Sequence, residues 1–324
     1  MNVDEETNLI EENIRVRRYD VDHNFIGWRL DQFLANRIEG MSRSLAGRVA
    51  CSGTVEVLPE RKVKAGTKLR LDDVVIIREE LEPEVVQDEE ASILFEDAAV
   101  VIVDKPSGML VHETATVRLN TITFYFKRLG WEGAEPAHRL DRETSGALVC
   151  ARTSDFVAPL RELFASDDPQ KVYRALVVDP DNTWEVGEKR VLDSPLGFDE
   201  ASSLPMRVWH GDLHARTHVK VLGRQSHPMG DLADLEVRIE TGRQHQIRVH
   251  LAMEGTPIAG DKLYGRSDDF FKATCDFPDD QELLAQLHFP RHALHAWRIE
   301  IGHPVTGERL RVEAPLPEIW RCEK

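Results

Sequence analysis

The sequence has few cysteines, no long apolar run and no excess of positive charge, and each absence narrows the possible functions. Its four cysteines show no CxxC spacing, which argues against a disulfide framework and a zinc site. No run approaches the roughly 18 apolar residues of a membrane span. The first residues are acidic and lack the apolar segment of a secretory signal. We therefore expect a cytoplasmic globular protein with reduced thiols and no membrane contact.

The net charge of −16 is unusual for a protein that binds nucleic acid, because contacts to phosphate normally require lysine and arginine. The acidic residues are concentrated, however, in three stretches, residues 1–14, 79–90 and 268–282. Acidic runs of this kind are usually solvated tails or linkers. The rest of the chain is close to neutral, so the overall charge does not exclude a local basic surface.

The acidic run at residues 79–90 predicts a linker between two domains. A small domain would occupy residues 15–78, after an acidic tail at residues 1–14, and a larger one residues 91–324. With 324 residues the chain is long enough for both.

Residues 15–78 combine a basic composition with a pattern of two helices and two strands. They hold thirteen Lys or Arg and eight acidic residues. Apolar residues at helical spacing predict a first helix, and Ser42, a good N-cap residue, precedes a second one that ends at Gly53. Strands are predicted at residues 54–58 and 69–77. The pattern predicts a small α+β domain with a basic face.

Residues 91–324 show strands that adjoin through short turns, which is typical of an α+β fold with a mixed or antiparallel sheet. Residues 93–95 and 100–103 flank Glu96-Asp97 as the two strands of a hairpin would. Further predicted elements are an amphipathic helix at residues 156–164, a strand at residues 171–178, and a helix at residues 245–253 that ends before Gly255.

The most informative segment is HRLDRETSG, residues 138–146, which places one carboxylate, Asp141, in a turn before an apolar run. That run, residues 147–151, predicts a buried strand. An aspartate on such a turn, at the edge of a sheet, is held rigidly and can still be reached by a substrate. Local chemistry alone favours a simpler role, in which Asp141 bonds its own backbone as most turn aspartates do.

Five segments of the chain resemble, in the same order, the motifs of the RluA-type pseudouridine synthases. HRLDRETSG resembles the family's active-site motif HRLDxxTSG. The other segments are KPSGMLVH at residues 105–112, KVYRA at 171–175, TGRQHQIRVHL with GTPIAGDKLYG at 241–265, and ALHA with HP at 293–304. The resemblance covers nearly the whole predicted second domain.

The resemblance implies a large bent sheet whose cleft holds the active site, and the isomerisation of uridine in RNA to pseudouridine. In that reaction the N-glycosidic bond breaks, the uracil turns, and its C5 joins the same sugar carbon. We expect neither a cofactor nor a metal, and the sequence has no P-loop and no GxGxxG motif after a strand. His292 and His295 have tolerable ligand spacing, but we expect them in a strand with one ring buried and one exposed.

The resemblance also implies that Asp141, Tyr173 and Arg248 are the catalytic residues. Asp141 must be ionised in the resting enzyme, although the sequence leaves open whether it attacks the substrate or helps to remove a proton. Burial would raise its pKa, and a bidentate pairing with Arg248 is expected to oppose this. Tyr173 is expected to stack on the base and to help move the C5 proton. Expected substrate contacts are Ile247, Arg139, Arg243, His138 and Lys105 and, in the first domain, Arg43 and Arg48.

The first domain resembles, more loosely, an S4-type RNA-binding domain, which meets RNA through its second helix. Leu58-Pro59-Glu60 replaces the usual Asn-Gly turn, and Asp72 stands where glycine is common. The alternative is an ordinary α+β domain with a solvated basic face. Because an S4-like domain is typical of family members that act on large-subunit ribosomal RNA, we expect 23S-type rRNA to be the substrate. We also expect the protein to be a monomer.

Other functions remain open at this point. The enzyme could be directed at tRNA, or the chain could be a non-catalytic RNA-binding protein or ribosome assembly factor. The presence of Asp141, Tyr173 and Arg248 favours an enzyme over the latter two. A hydrolase could use Asp141 and Glu143 as paired carboxylates, but the turn does not give the two a common face.

Overall fold

The computed structural model describes residues 7–11, 14–38, 41, 43–80, 84, 86, 90–114, 117–166 and 169–320. The chain divides into two units, Met1–Val85 and Val86–Lys324. Within the described ranges, every helix is too short or too polar to cross a membrane.

The first unit is a four-stranded antiparallel sheet with two helices packed against it. Its strand order is β1-β2-β4-β3. The elements are β1 (Thr7–Glu11), β2 (Ile14–Asp20), α1 (Leu30–Arg37), α2 (Arg43–Val49), β3 (Val55–Leu58) and β4 (Val74–Glu80). Leu30, Phe33 and Leu34 of α1 are fully buried against the strands, so the apolar spacing in the sequence correctly predicted this helix.

The ends of the first unit differ from the sequence predictions. The prediction of an acidic tail is wrong for Thr7–Glu11, because this segment forms a strand that pairs with β2. The strand predicted at residues 69–77 begins only at Val74, since Asp72 has a left-handed φ of 62° and the chain turns there. Glu79 and Glu80, assigned to the linker, belong to β4. Ser42 and most of the predicted linker lie outside the described residues.

The second unit is built on a ten-stranded mixed sheet. Eight strands follow the order β10-β13-β14-β9-β15-β8-β6-β5, while β16 pairs with β15 and β7 with β8; β11 and β12 form a separate hairpin. The strands are β5 (Ser92–Glu96), β6 (Val100–Lys105), β7 (Glu135–Pro136), β8 (Ser145–Ala151), β9 (Gln170–Val178), β10 (Lys189–Leu192), β11 (Leu196–Phe198), β12 (Val208–His210), β13 (Thr217–Gln225), β14 (Leu232–Ile239), β15 (Leu294–Gly302) and β16 (Arg309–Glu313). The predicted α+β class with a mixed sheet is confirmed.

Five helices of this unit connect the strands. They are α3 (Ile122–Arg128), α4 (Val157–Ala165), α5 (Gln246–Met253), α6 (Asp268–Asp276) and α7 (Gln281–Leu284). The predicted β5–β6 hairpin, α4, β9 and α5 are confirmed, and Gly255 follows α5 with a φ of 77°. The acidic stretch 268–282 forms helices and is not a tail or linker.

Strand β8 lies inside the sheet, between β6 and β15. All seven of its residues are buried, which explains why the sequence there is continuously small and apolar. Its pairing with β15 is parallel, whereas its pairing with β6 is antiparallel. Asp141 therefore lies in a turn before an inner strand. The expected position at the edge of the sheet is wrong in this respect, because β8 has a partner strand on both sides.

Candidate active site

Three segments of the second unit meet around a cavity of about 230 Å³, here called the Asp141 cavity. Asp141 comes from the turn before β8, Tyr173 from β9, and Ile247 and Arg248 from the first turn of α5. Segments that are distant in sequence thus supply the walls. The lining residues are Arg139, Leu140, Asp141, Thr144, Tyr173, Ile239, Gly242, Arg243, Gln244, His245, Gln246, Ile247, Arg248 and Leu294.

The start of α5 is fixed by Gln246, which is buried. Its amide oxygen accepts hydrogen bonds from the Thr241 hydroxyl (2.7 Å) and the Arg243 backbone N–H (3.1 Å), and its amide nitrogen donates to the Arg216 carbonyl (3.0 Å). His245, just before the helix, has a left-handed φ of 53°. The turn from Thr241 to Gln246 is thereby held against β13, and it directs Ile247 and Arg248 towards the cavity.

Arg248 connects two carboxylates. Its Nε and one terminal nitrogen donate to the two oxygens of Asp261, at 2.7 and 2.9 Å, and its other terminal nitrogen donates to Asp141 at 3.0 Å. The predicted partner of Asp141 is therefore correct, but the predicted bidentate geometry is wrong. The two-bonded pairing is made with Asp261, because that carboxylate faces the Nε side of the guanidinium.

Asp261 is the main site residue that sequence reasoning missed. Its side chain is fully buried, and it also accepts hydrogen bonds from the backbone N–H groups of Leu263 (2.9 Å) and Tyr264 (3.0 Å). Burial would raise the pKa of Asp261, but the charge of Arg248 and these bonds hold it well below its ordinary value. The only sequence signal was its place in the GDKLYG segment.

The carboxylate of Asp141 is ionised at neutral pH. Burial would raise its pKa, but the charge of Arg248 and the hydrogen bond that Arg248 donates hold the pKa of Asp141 below its ordinary value. The Asp141 side chain keeps 21% of its surface exposed, whereas that of Arg248 keeps 8%. The site thus presents a fixed, charged carboxylate to the cavity.

Two histidines beside Asp141 are neutral. Burial lowers the pKa of His245 and of His292 to about 4. His245 Nδ1 lies 2.9 Å from the Tyr264 hydroxyl, and His292 Nε2 lies 2.8 Å from the Thr144 hydroxyl. They therefore connect the walls of the site and add no full positive charge near Asp141.

Tyr173 and Ile247 form apolar walls of the Asp141 cavity. Their exposed fractions are 7% and 5%, and both side chains line the space in front of Asp141. Burial, reinforced by the Asp141 charge, raises the pKa of Tyr173, so its phenol stays protonated at neutral pH. The ring offers a flat face and an O–H donor, as expected for a residue that packs on a base.

Lys105 is not in a position to bind substrate. Its side chain is fully buried, and its ammonium donates to the carbonyls of Pro106 (2.9 Å), Met109 (2.8 Å) and Arg142 (3.1 Å). The predicted substrate contact of Lys105 is therefore wrong, and its ammonium instead contacts a loop of the protein. Lys105 ties the turn that carries Asp141 to the loop after β6.

His138 also makes contacts that stabilise the fold. Its Nε2 accepts a hydrogen bond from the Val149 backbone N–H (3.0 Å), and its ring stacks on Phe164. Burial, with a smaller effect of Lys171, lowers the pKa of His138 to about 3. A neutral ring bonded in this way offers no positive charge to a phosphate, and the predicted substrate contact of His138 stays a prediction.

Two predicted arginine contacts, Arg139 and Arg243, lie at the Asp141 cavity, and Arg142 follows Asp141 in the same turn. Arg139, Arg142 and Arg243 are exposed, and Arg139 and Arg243 line the cavity itself. Arg142 Nε donates to the Gly108 carbonyl, and Arg243 Nε to the His214 carbonyl. Both keep further donors for a ligand. In the first unit, Arg43 and Arg48 are exposed on α2, and Arg43 lies 3.8 Å from Asp31.

Glu143 does not form a carboxylate pair with Asp141. One of its oxygens accepts a hydrogen bond from the Lys262 ammonium, and the other from the His292 backbone N–H (3.3 Å). Both oxygens are thus occupied, which argues against the hydrolase. His292 and His295 are both buried, contrary to the expectation of one exposed ring. No cluster of three potential metal ligands occurs in the part of the chain that the structure describes.

A larger cleft of about 1210 Å³, here called the outer cleft, adjoins the Asp141 cavity and shares five of its lining residues. These are Arg139, Leu140, Asp141, His245 and Arg248. The outer cleft continues along the loop after β6 and along α6, where Arg142, Arg161, Lys262 and Arg291 contribute positive charge. A ligand much longer than one nucleoside can therefore approach Asp141.

Comparison with known proteins agrees with this geometry. The family model "RNA pseudouridylate synthase" matches residues 99–253. Ribosomal large subunit pseudouridine synthase D of Nitrosomonas europaea is 33% identical over 321 residues, which is 95% of this chain and 87% of that protein. Ribosomal large subunit pseudouridine synthase C of Vibrio cholerae serotype O1 is 31% identical over 93% of this chain and 94% of that protein.

Two solved human structures share the fold. RNA Pseudouridylate Synthase Domain Containing 4 aligns with a TM-score of 0.52 and 26% identity over 71% of this chain and 90% of that chain. RNA Pseudouridylate Synthase Domain Containing 1 aligns with a TM-score of 0.54 over 72% of this chain and 86% of that chain. At 23% identity the second likeness concerns the fold alone.

Proposed function

The chain belongs to the RNA pseudouridylate synthase family and isomerises uridine in RNA to pseudouridine, and we propose that its substrate is the RNA of the large ribosomal subunit. The two bacterial relatives, both named as large-subunit synthases, match 95% and 93% of the chain and support this substrate. The exposed Arg43 and Arg48 on α2 support an S4-like, RNA-binding role for the first unit.

The observation that carries the catalytic proposal is a charged Asp141 carboxylate, bonded by Arg248, at the wall of a cavity lined by Tyr173 and Ile247. Asp141 begins the reaction. The bond between uracil N1 and the sugar C1′ breaks, the uracil turns within the cavity, and C5 bonds to C1′. C5 then loses a proton and N1 gains one, so the product is an isomer of uridine. Both covalent attack and proton removal by Asp141 require its charged form, so the proposal depends on ionisation and not on one route.

Arg248 keeps Asp141 charged and oriented, and Asp261 in turn orients Arg248. A guanidinium with two bonds to a fully buried carboxylate has little freedom to rotate. Its other terminal nitrogen is therefore held within hydrogen-bonding distance of Asp141. Asp261 is a positioning residue, because it acts through Arg248.

Tyr173 stacks on the uracil, and Ile247 closes the apolar side of the cavity. Stacking of a base on an aromatic ring is worth about 1–3 kcal/mol. Because its phenol is protonated at neutral pH, Tyr173 can donate a hydrogen bond to the substrate, and it can accept the C5 proton only after it has passed on its own proton. Rotation of the detached uracil requires smooth apolar walls, which these two side chains supply.

The target uridine leaves its RNA stack to reach Asp141, at a cost of a few kcal/mol. Arg139, Arg142 and Arg243 at the opening offset that cost through contacts to phosphate. The outer cleft holds the flanking nucleotides. We also propose that the protein acts as a monomer, because one chain supplies every wall of the Asp141 cavity. The proposed location is the cytoplasm.

A pseudouridine map of cellular RNA, made with and without this gene, tests the substrate. We expect one or more pseudouridines to disappear from large-subunit rRNA and to return when the gene is restored. Loss confined to tRNA would contradict the proposed substrate and support a tRNA-directed enzyme. Full rescue of growth by an Asp141 variant that leaves rRNA unmodified would instead support an assembly factor. Light scattering of the purified protein tests the monomer.

A further inference from the structure

Lys171 of β9 has an unusual environment for a lysine. It is half-buried, and burial lowers its pKa. Among the residues that the structure describes, no carboxylate raises that pKa again. The ammonium lies 6.0 Å from the centre of the Phe164 ring, and a weak cation–π contact of this kind replaces only part of the lost hydration. Among the described residues, Lys171 is therefore a desolvated charge without an anionic partner.

Lys171 lies beside residues that line the Asp141 cavity. Residues two apart on a strand project to the same face, so Lys171 shares the face of Tyr173. It stands opposite Ile239 of β14, which lines the cavity, as Tyr173 stands opposite Val237. Its ammonium lies 3.9 Å from the position that a Cβ would take on Gly242, another lining residue.

Other buried or half-buried cations near the site are already bonded. Arg248 is shared by Asp261 and Asp141, Lys105 donates to three carbonyls, and Lys262 donates to Glu143. Lys171 differs from these three because its charge is compensated by neither a carboxylate nor a set of carbonyls in the described structure. An anion brought by the substrate would supply the missing partner.

We propose that Lys171 binds a phosphate that flanks the target uridine and so fixes the extruded nucleotide over Asp141. The inference rests on the proposed binding of uridine between Asp141 and Tyr173. Two residues along a strand span roughly 6.7 Å, which is comparable to the distance from a base to its own phosphate. A uracil stacked on Tyr173 thus places its backbone within reach of Lys171.

The test uses the full chain and an RNA that it demonstrably modifies. Total RNA from cells without the gene is incubated with the wild-type protein, the new pseudouridine is mapped, and a short RNA around it serves as substrate. A mapped site outside large-subunit rRNA would contradict the proposed substrate but would leave this test valid. The variants are Lys171→Met and Lys171→Arg, with Lys189→Met as the control. Lys189 is an exposed lysine on β10 of the same sheet, outside the cavity lining.

We expect Lys171→Met to raise KM by about 10- to 100-fold, because the variant loses one hydrogen bond between charged groups. kcat at saturating RNA stays within about threefold. The logarithmic salt slope of RNA binding falls by about one. Lys171→Arg keeps most of the affinity, and Lys189→Met matches wild type. A wild-type KM for Lys171→Met, or a loss in kcat at unchanged KM, would overturn the inference.

A neutral methylphosphonate, placed on either side of the target uridine, identifies the phosphate. At one of the two positions we expect it to raise the wild-type KM as much as Lys171→Met does, and to add nothing further in that variant. Additive effects at both positions would overturn the proposal. This experiment does not depend on the stability of the variant, because the modified RNA is also measured with the wild-type protein.

Discussion

Arg248 is shared between two carboxylates of different exposure. Asp261 is fully buried and takes two of its N–H groups, whereas Asp141 keeps 21% of its side-chain surface exposed and takes one. Asp261 therefore neutralises most of the guanidinium charge inside the protein. Asp141 is oriented by a single bond and keeps lone pairs directed at the cavity, which suits a group that must react.

Asp261→Asn should weaken catalysis and stability together. An amide supplies only one oxygen to Arg248 and leaves the buried guanidinium without its main counter-charge. Breaking a buried ion pair typically costs about 3–5 kcal/mol. We expect the free energy of unfolding in urea to fall by about this amount, and kcat to fall by at least about tenfold while KM changes less.

Asp179→Asn is the matched control for this prediction. Asp179 is equally buried, binds Arg224, and accepts hydrogen bonds from the backbone N–H groups of Thr183 and Trp184. It is not part of the cavity lining. We expect a comparable loss of stability with unchanged kcat per folded molecule. If both variants kept wild-type kcat, Asp261 would be a purely structural residue.

Single residues also show where sequence reasoning ends. Asp141 and Arg248 were predicted because their motifs resemble a family's, and the structure brings them within 3.0 Å. The roles of Asp261 and Lys105 were not predictable, because partner choice depends on which backbone carbonyls and guanidinium nitrogens face each other after folding. A lysine in a motif suggests a contact to the substrate, yet the Lys105 ammonium donates its hydrogen bonds to three backbone carbonyls.

At the scale of elements, the parallel pairing of β8 with β15 holds the strand that directly follows the Asp141 turn. Gly146 makes this possible, because it pairs with Ala296 and has a φ of 111°. A Cβ on Gly146 would lie 2.3 Å from the Ala296 carbonyl oxygen, closer than any real contact. The glycine of the HRLDRETSG segment therefore sets the distance between two central strands.

Gly146→Ala should destabilise the protein strongly, by about 3 kcal/mol or more, because both the backbone angle and the close approach are violated. Gly130→Ala is the control, since Gly130 has a φ of 73° but nothing within 4 Å of its Cβ position. It should cost only about 1–2 kcal/mol. Urea unfolding of both variants measures the difference, and equal losses would show that the close approach to β15 contributes little.

Periodicity predicted the elements that bury one clear face, and it failed at their ends. The helix at Leu30 and the strands β5, β6 and β9 follow from apolar spacing. The late start of β4 depends on the left-handed Asp72, and Thr7–Glu11 became a strand because β2 offered an edge to pair with. Turn conformations and free edges are tertiary properties that a local pattern does not contain.

At the scale of the whole molecule, the two units divide the proposed work. The second unit contains every residue of the Asp141 cavity, and the first carries a basic helix. A chain that begins at Val86 should fold and retain its chemical step. It should bind RNA more weakly and with a shallower salt dependence, because the lysine and arginine contacts of the first unit are gone.

Binding curves at three salt concentrations test this division, together with turnover of a short stem-loop at high concentration. An unchanged affinity and slope would show that the first unit does not contact this substrate. The S4-like assignment and the ribosomal substrate would then lose their main physical support, while the catalytic proposal for Asp141 would stand.

Stability should fall on mild acidification. Burial is the main cause that lowers the pKa of His138 to about 3 and of His245, His292 and His295 to about 4, against about 6.5 in an unfolded chain. Between pH 6.5 and 4 the unfolded state therefore binds more protons than the folded state. The free energy of unfolding should decrease as the pH falls through this window, by about 1.4 kcal/mol per pH unit for each histidine at most. Urea unfolding at pH 7, 6 and 5 measures it, and a flat profile would contradict the neutral, buried rings.

The central claim is that the charge of Asp141 starts the reaction, and Asp141→Asn tests it most directly. The substitution preserves size and one hydrogen-bond acceptor for Arg248 but removes the charge. Single-turnover conversion of a validated RNA is measured at saturating enzyme, with RNA affinity and urea unfolding as controls. The account predicts that conversion falls by at least about 10³-fold, with RNA affinity and folding nearly unchanged. Conversion within about tenfold of wild type by the folded, RNA-bound variant would contradict it.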